Sequence, residues 1–344
     1  MSVKRIGVLT GGGDCPGLNP TIRAIVRKAL NENVCVTGIK NGWKGLVEKD
    51  TVELDLNSVS GILPKGGTIL GTSRTNPYKE KGDAEKVKKN MHALKLDALI
   101  VIGGDDTLGV ASRLTKEGEK VVGVPKTIDN DLSCTDFTFG FDTAVSVATE
   151  AIDRLHTTAE SHHRIMVVEI MGRHAGWIAT YAGIAGGADM ILIPEIQADM
   201  EEVCAIIKKR HARGKAFSLV VVAEGAKMKH EELVLQTKKK DAFGHVLLGG
   251  IGNRVGKELE ERTGFETRVT VLGHLQRGGT PTAFDRVLAT RFGVRSVELV
   301  LSGDFGKMVA LKSNEIVGVP LEDAIGTLKT VDMRLYDIAK LFFG

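Results

Sequence analysis

Short apolar runs rich in valine and isoleucine recur along this chain, at residues 6–9, 34–39, 98–102, 121–124, 165–170, 190–193, 219–222 and 269–272. They are continuous rather than alternating and only a few residues long, which predicts strands buried on both faces. Helical patterns separate many of them, at 20–31, 83–94, 144–159, 200–212 and 251–262. This alternation predicts βαβ units with right-handed crossovers, hence an α/β fold with parallel sheets. One stretch, 225–245, is lysine-rich and lacks a clear period, so Lys238, Lys239 and Lys240 are expected on a solvated loop. The tail 328–344 is expected to be a packed helix whose terminal Leu341, Phe342 and Phe343 join the core.

A length of 344 residues, 42% of them hydrophobic, supports a large core and about two domains. No stretch approaches the roughly 20 continuous apolar residues of a membrane span, and the first residues run directly into a strand pattern, so a cytoplasmic protein is expected. Cys15, Cys35, Cys134 and Cys204 form no CxxC pair, which argues against a disulfide framework or a structural zinc. A net charge of +3 and 5% aromatics offer neither a polyanion-binding field nor a stacking platform, so nucleic acid is a poor candidate partner.

Many of the 41 glycines directly follow predicted strands, where open α/β sheets bind ligands. After the first strand comes Thr10-Gly11-Gly12-Gly13-Asp14-Cys15-Pro16-Gly17, followed by a helix. Its glycines let backbone amides approach an anion, and the helix terminus adds positive potential. It has no Walker lysine and does not fit GxGxxG, and alone it is as compatible with a tight structural turn as with phosphate binding. Gly103-Gly104-Asp105-Asp106-Thr107 presents adjacent acids suited to Mg²⁺, although Asp106 or Thr107 could equally cap the next helix. Pro125-Lys126-Thr127-Ile128-Asp129-Asn130-Asp131 brings a cation, a hydroxyl and carboxylates to one strand end: a phosphate ligand, a metal ligand and a candidate base together. A fourth, cationic set comprises Ser161-His162-His163-Arg164, Met171-Gly172-Arg173-His174, Glu266-Thr267-Arg268 and Gly273-His274-Leu275-Gln276-Arg277. Singly, each arginine reads as a surface ion-pair partner; recurring at strand ends, they suit bidentate contacts to a sugar phosphate.

The order of these motifs, together with GGTILGTSR at 66–74, resembles the phosphofructokinase family over nearly the whole chain, with 225–245 as the main departure. The resemblance implies two Rossmann-like parallel-sheet domains. Residues 1–140 plus about 276–327 would bind the phosphoryl donor, and 141–275 plus about 328–344 would bind fructose 6-phosphate. It further implies that Asp129 takes the proton from the C1 hydroxyl, that Thr127 orients the reacting groups, and that Asp105 and Asp131 organise Mg²⁺. Arg173, His274 and Arg277 would hold fructose 6-phosphate, with Met171 and Gly172 shaping the pocket and Glu224 holding sugar hydroxyls. Arg164 and Arg268 would arrive from a neighbouring subunit, making a homodimer or homotetramer necessary. Gly13, Arg74, Gly104, Asp106 and Lys126 would face the donor.

Asp106 and Lys126 stand where the ATP-dependent bacterial pattern resembles GGDG and PGTIDND, and both resemble the pyrophosphate-dependent branch. Asp106 adds bulk and negative charge where the α-phosphate of ATP is expected, and pyrophosphate has no group there. The resemblance thus implies reversible phosphorylation of fructose 6-phosphate by pyrophosphate in glycolysis or gluconeogenesis, with ATP-dependent 6-phosphofructokinase as the alternative. A catalytically silent regulatory subunit and a nicotinamide-dependent dehydrogenase are the more distant readings. Arg23 and Arg27 remain from the family's basic effector pattern, whereas His156 and Lys65 replace arginines in it, so weak nucleotide regulation is expected.

Overall fold

A computed structural model describes residues 3–229, 235–240 and 246–344. The strands, in chain order, are β1 (Arg5–Thr10), β2 (Cys35–Ile39), β3 (Thr51–Leu54), β4 (Ala98–Gly103), β5 (Val121–Pro125), β6 (Ile165–Ile170), β7 (Met190–Leu192), β8 (Ser218–Ala223), β9 (Leu235–Lys240), β10 (Val246–Leu248), β11 (Thr267–Val271), β12 (Lys307–Lys312) and β13 (Glu315–Pro320). Seven build one sheet in the order β13-β12-β5-β4-β1-β2-β3, and four build a second in the order β11-β6-β8-β7. The second sheet is wholly parallel, whereas the first carries antiparallel strands at both edges.

Alternation inside the apolar runs explains their continuity. In β4, Ala98, Ile100 and Ile102 join a core shared by the two sheets, while Leu99 and Val101 face a separate core behind the first sheet. In β6, Met166, Val168 and Ile170 join the shared core, and Ile165 and Val167 face a third cluster behind the second sheet. With no water on either face, both positions of the period-2 repeat are apolar, so the sequence shows no polar alternation.

The sheet orders place two topological switch points, one between β1 and β4 and one where β6 lies between β11 and β8. Loops leaving the carboxyl ends of strands diverge at such points and leave a crevice. The glycine turns after β1 and β4 and the Arg173 turn after β6 therefore open into common space.

Strands β3, β12 and β13 lie outside the apolar runs recognised in the sequence; β3 and β13 are the two edge strands, β13 is mostly half-exposed, and β12 lies between β13 and β5. The lysine run expected on a solvated loop lies instead on β9, which pairs antiparallel with β10; residues 230–234 and 241–245 of that stretch fall outside the described residues. The tail also differs from expectation. Its helix covers only Met333–Lys340, Leu341 and Phe342 are 79% and 69% exposed, and only Phe343 packs inward, against Tyr336. No described helix is long and apolar enough to cross a membrane.

Candidate active site

One cavity of about 540 Å³ lies where the two sets of strand ends meet. Its first wall is largely main chain. The turns after β1 and β4 lie side by side, Gly11 N donating to Ile102 O at 2.9 Å, and buried Thr107 packs against both. A Cβ at Gly11 would come within 2.7 Å of Thr107, and one at Gly103 within 2.3 Å, so both turns need glycine on packing grounds. Gly104, not a side chain, occupies the N-cap of helix Asp105–Lys116, which leaves Asp105 and Asp106 in its first turn and on the cavity wall. The alternative in which Asp106 or Thr107 serves as the cap is thereby corrected.

The 66–74 segment closes this wall. Asn19 gathers it by donating to Lys65 O and Gly66 O at 3.1 Å each and accepting from Ile69 N at 2.8 Å. Gly12 N donates to Ser73 O, and Thr72 Oγ1 donates to Gly12 O, which brings Arg74 to the cavity beside Gly13. Lys126, buried at 4% exposure, extends from the end of β5 and donates to Gly13 O at 2.5 Å. Burial pushes its ammonium pKa down, with Arg277 adding to the effect.

The loop after Lys126 holds its shape through Asn130, whose φ of 51° lies in the left-handed region that asparagine tolerates. Asn130 Oδ1 accepts from Thr138 N at 3.1 Å, and Thr138 Oγ1 donates to Thr127 O at 2.7 Å. Thr127, Asp129 and Asp131 all line the cavity, and Asp129 Oδ1 has no hydrogen-bond partner. Withdrawal from bulk water raises the Asp129 pKa against the opposing pull of Arg277, Lys126 and Arg173. Asp131 is pushed up to about 7, first by the same desolvation and then by the charges of Asp129 and Asp105.

The second wall is made of side chains. Met171 and Arg173 follow β6, Glu224 follows β8, and His274 and Arg277 follow β11. Gly172 is not on the cavity surface; it forms the turn beneath it, at φ 144°, and its carbonyl accepts from Gly225 N at 3.1 Å. Gly225 in turn lies under Arg173, where a Cβ would meet the Arg173 carbonyl at 1.9 Å. Arg277 crosses to the first wall: it donates to Asp14 O at 3.3 Å and occupies the space a Gly13 side chain would need.

Residues 5–300 match the family described as Phosphofructokinase. This chain belongs to that family. It is 59% identical to a Streptomyces coelicolor protein named pyrophosphate--fructose 6-phosphate 1-phosphotransferase, over 99% of this chain and 100% of the relative. It is 54% identical to another protein of that organism, named ATP-dependent 6-phosphofructokinase 3, over 96% of this chain and 98% of the relative. Among solved structures, a Pichia pastoris phosphofructokinase in the T-state aligns at a TM-score of 0.84 and 38% identity. That alignment covers 99% of this chain and 39% of the other, so this chain spans about two fifths of the Pichia pastoris polypeptide.

Two of the sequence-predicted residues lie elsewhere. Arg164 precedes β6 and Arg268 is the second residue of β11, so both sit at the opposite ends of their strands from the cavity, and both pair with Glu266. Several wall residues had escaped sequence reasoning, among them Glu169, Asn253 and Thr327, while Cys15 and His174 had been included only as members of wider motifs. Glu169 had a visible signal: it is the lone charged residue in the buried run IMVVEI. Its carboxylate accepts from Gly250 N at 3.2 Å and Gly252 N at 2.7 Å, anchoring the start of helix Ile251–Thr263 beside the cavity.

Proposed function

We propose that this chain transfers a phosphoryl group reversibly from pyrophosphate to the C1 hydroxyl of fructose 6-phosphate. The observation that carries the donor choice is the filling of the first wall by Lys126 and Asp106. A buried ammonium already bonded to Gly13 O suits a compact polyphosphate held against the glycine turns. Asp106 lines the same space, and a carboxylate about 4 Å from a further phosphate is repelled by roughly 1 kcal/mol in water and about 4 kcal/mol at an effective dielectric near 20. The upper figure corresponds to about three powers of ten in affinity.

In this reading residues 1–140 plus about 276–327 form the donor half, and 141–275 plus about 328–344 form the fructose 6-phosphate half. Arg173, His274 and Arg277 bind the sugar phosphate, Glu224 accepts from its hydroxyls, and Thr127 orients the reacting groups. Asp129, with an oxygen unpartnered, takes the proton from the C1 hydroxyl as transfer proceeds. Its raised pKa makes it a stronger base than an exposed aspartate once ionised.

Among the described residues no group of three or more acidic, histidine or cysteine side chains is gathered to hold a metal. Two wall carboxylates, Asp105 and Asp131, nonetheless fit Mg²⁺, which takes one or two protein carboxylates and completes its shell with phosphate oxygens and water. Asp131's pKa is raised first by desolvation, then by Asp129 and to a lesser degree by Asp105, and a cation bound there would offset all three. Mg²⁺ bound there would neutralise charge on the transferring phosphoryl group. Arg164 and Arg268, remote from this chain's own cavity, would complete the site of a neighbouring copy in a homodimer or homotetramer.

The 54%-identical relative named as ATP-dependent supports a second reading, in which ATP is the donor. Initial rates with fructose 6-phosphate and Mg²⁺ compare pyrophosphate with ATP for the wild type and for Asp106→Gly. The expected outcome is wild-type turnover mainly with pyrophosphate and a gain of ATP use in the variant. Equal or better wild-type turnover with ATP would reject the donor assignment.

A further inference from the structure

The segment joining helix Leu321–Ile325 to helix Met333–Lys340 threads between the loops that build the two walls. On one side it clasps the loop carrying Asp129 and Asp131. Ser133 Oγ donates to Thr327 O at 2.6 Å, Leu328 pairs antiparallel with Leu132, and Lys329 N donates to Asp131 O at 2.9 Å. On the other side it holds the turn that follows Arg173. Trp177 Nε1 donates to Lys329 O at 2.9 Å, and Glu195 accepts from both Val331 N, at 2.9 Å, and Gly176 N, at 3.0 Å.

Lys329 is the residue common to both sets. Its ammonium donates to Thr135 O at 2.9 Å and Asp136 O at 2.6 Å, and it lies 5.2 Å from the centre of the Trp177 ring. Thr327 and Leu328 reach the cavity wall, whereas Lys329 lies behind it.

We infer that Lys329 is a positioning residue for the transfer reaction, fixing the Asp129–Asp131 loop against the turn that presents Arg173. This rests on the functional reading above. The base and the cation that grips the acceptor belong to different sheets, and in-line transfer needs both in register. Displacement of a reacting group by about 1 Å costs roughly 10²-fold in rate. Without the ammonium, two backbone carbonyls lose a charge-assisted partner and the Trp177 ring loses its cation, leaving the main-chain bonds of Lys329 to hold the two loops alone.

The test is Lys329→Met, which keeps the apolar stem. Turnover is measured with pyrophosphate and with ATP, alongside the melting temperature and tryptophan emission. The expected result is a kcat reduced about tenfold or more, KM for fructose 6-phosphate changed less than about threefold, and a shifted emission from Trp177. Lys329→Arg should restore kcat and emission together. Should Lys329→Met fail to fold, Lys329→Gln, which keeps a neutral amide donor but no charge, carries the same comparison. An active wild type matched by the variant, a loss explained by a smaller folded fraction, or failure of arginine to restore kcat would overturn the inference alone. A wild type inactive with both donors would overturn the functional reading beneath it as well.

Discussion

The two walls of the cavity are made differently. The first is main chain folded tightly at glycine turns, with Thr107 wedged between Gly11 and Gly103. The second is a set of long polar side chains projecting from the ends of β6, β8 and β11. A backbone surface has little room for substitution, and in the proposed function the side chains placed beside it, Asp106 and Lys126, decide which polyphosphate fits. A side-chain surface shares its charge among Arg173, His274 and Arg277, so single losses there should be graded rather than absolute.

Asp129 belongs to neither pattern, because it stands between the walls and faces cations from both. Its replacement should give the largest effect. Asp129→Asn is expected to lower kcat by roughly 10²- to 10⁴-fold, with KM for both substrates within a few fold. Steady-state kinetics check this. A loss that appears chiefly in KM would mean that Asp129 holds substrate rather than accepting its proton.

A sharper contrast comes from one substitution on each wall. Gly13→Ala forces the Arg277 guanidinium, which would lie 2.2 Å from the new methyl, out of its place. Because Arg277 spans the walls, KM for donor and for fructose 6-phosphate should both rise, and kcat/KM should fall by about 10²-fold. If Arg173 grips the sugar phosphate as proposed, Arg173→Met removes charge-assisted hydrogen bonds worth about 1.5–3 kcal/mol, so KM for fructose 6-phosphate should rise roughly tenfold to a hundredfold with donor KM unchanged. Both comparisons are made at saturating co-substrate. If Gly13→Ala altered only donor KM, Arg277 would not couple the walls.

The difference between the walls also governs what could be read from sequence. The turns at Gly11–Gly13 and Gly103–Asp106 follow strands buried on both faces, so their place at strand ends was visible in the apolar runs. Arg173, His274 and Arg277 were visible as cations recurring after strands. Gly172, by contrast, shapes the pocket from below, and nothing local separates a lining glycine from a supporting one. Strand β13 went unseen because an edge strand needs apolar residues on fewer positions than a central one, whereas β12 carries the buried apolar run Met308–Leu311, a signal that was there to be read. Residues 328–331 were absorbed into an expected helix, since their role depends on contacts with Asp131, Trp177 and Glu195, distant in sequence. The apolar Leu341 and Phe342 gave the wrong expectation because they lie past the helix end at Lys340, in a turn exposed to solvent, and composition does not mark where the helix stops.

The smallest expected effect concerns Glu224, the carboxylate of the second wall. Desolvation, then the negative charge of Asp129, push its pKa up to about 7 from an ordinary value of 4.5. The folded protein therefore holds this proton more tightly than the unfolded chain does. The resulting stability is fully present below about pH 4.5 and is lost as pH rises through about 7, when folding must bury an ionised carboxylate. At 1.36 kcal/mol per unit of pKa the ceiling is about 3 kcal/mol, or several degrees in melting temperature. Glu224→Gln cannot ionise, so the stability advantage of the wild type over the variant should shrink steadily between about pH 5 and pH 8 in ligand-free protein. Thermal denaturation across that range measures it. A constant difference would place Glu224 in water with its ordinary acidity. The second wall would then be a solvated surface whose cations are screened, and the graded losses expected for Arg173 would have to be revised downward.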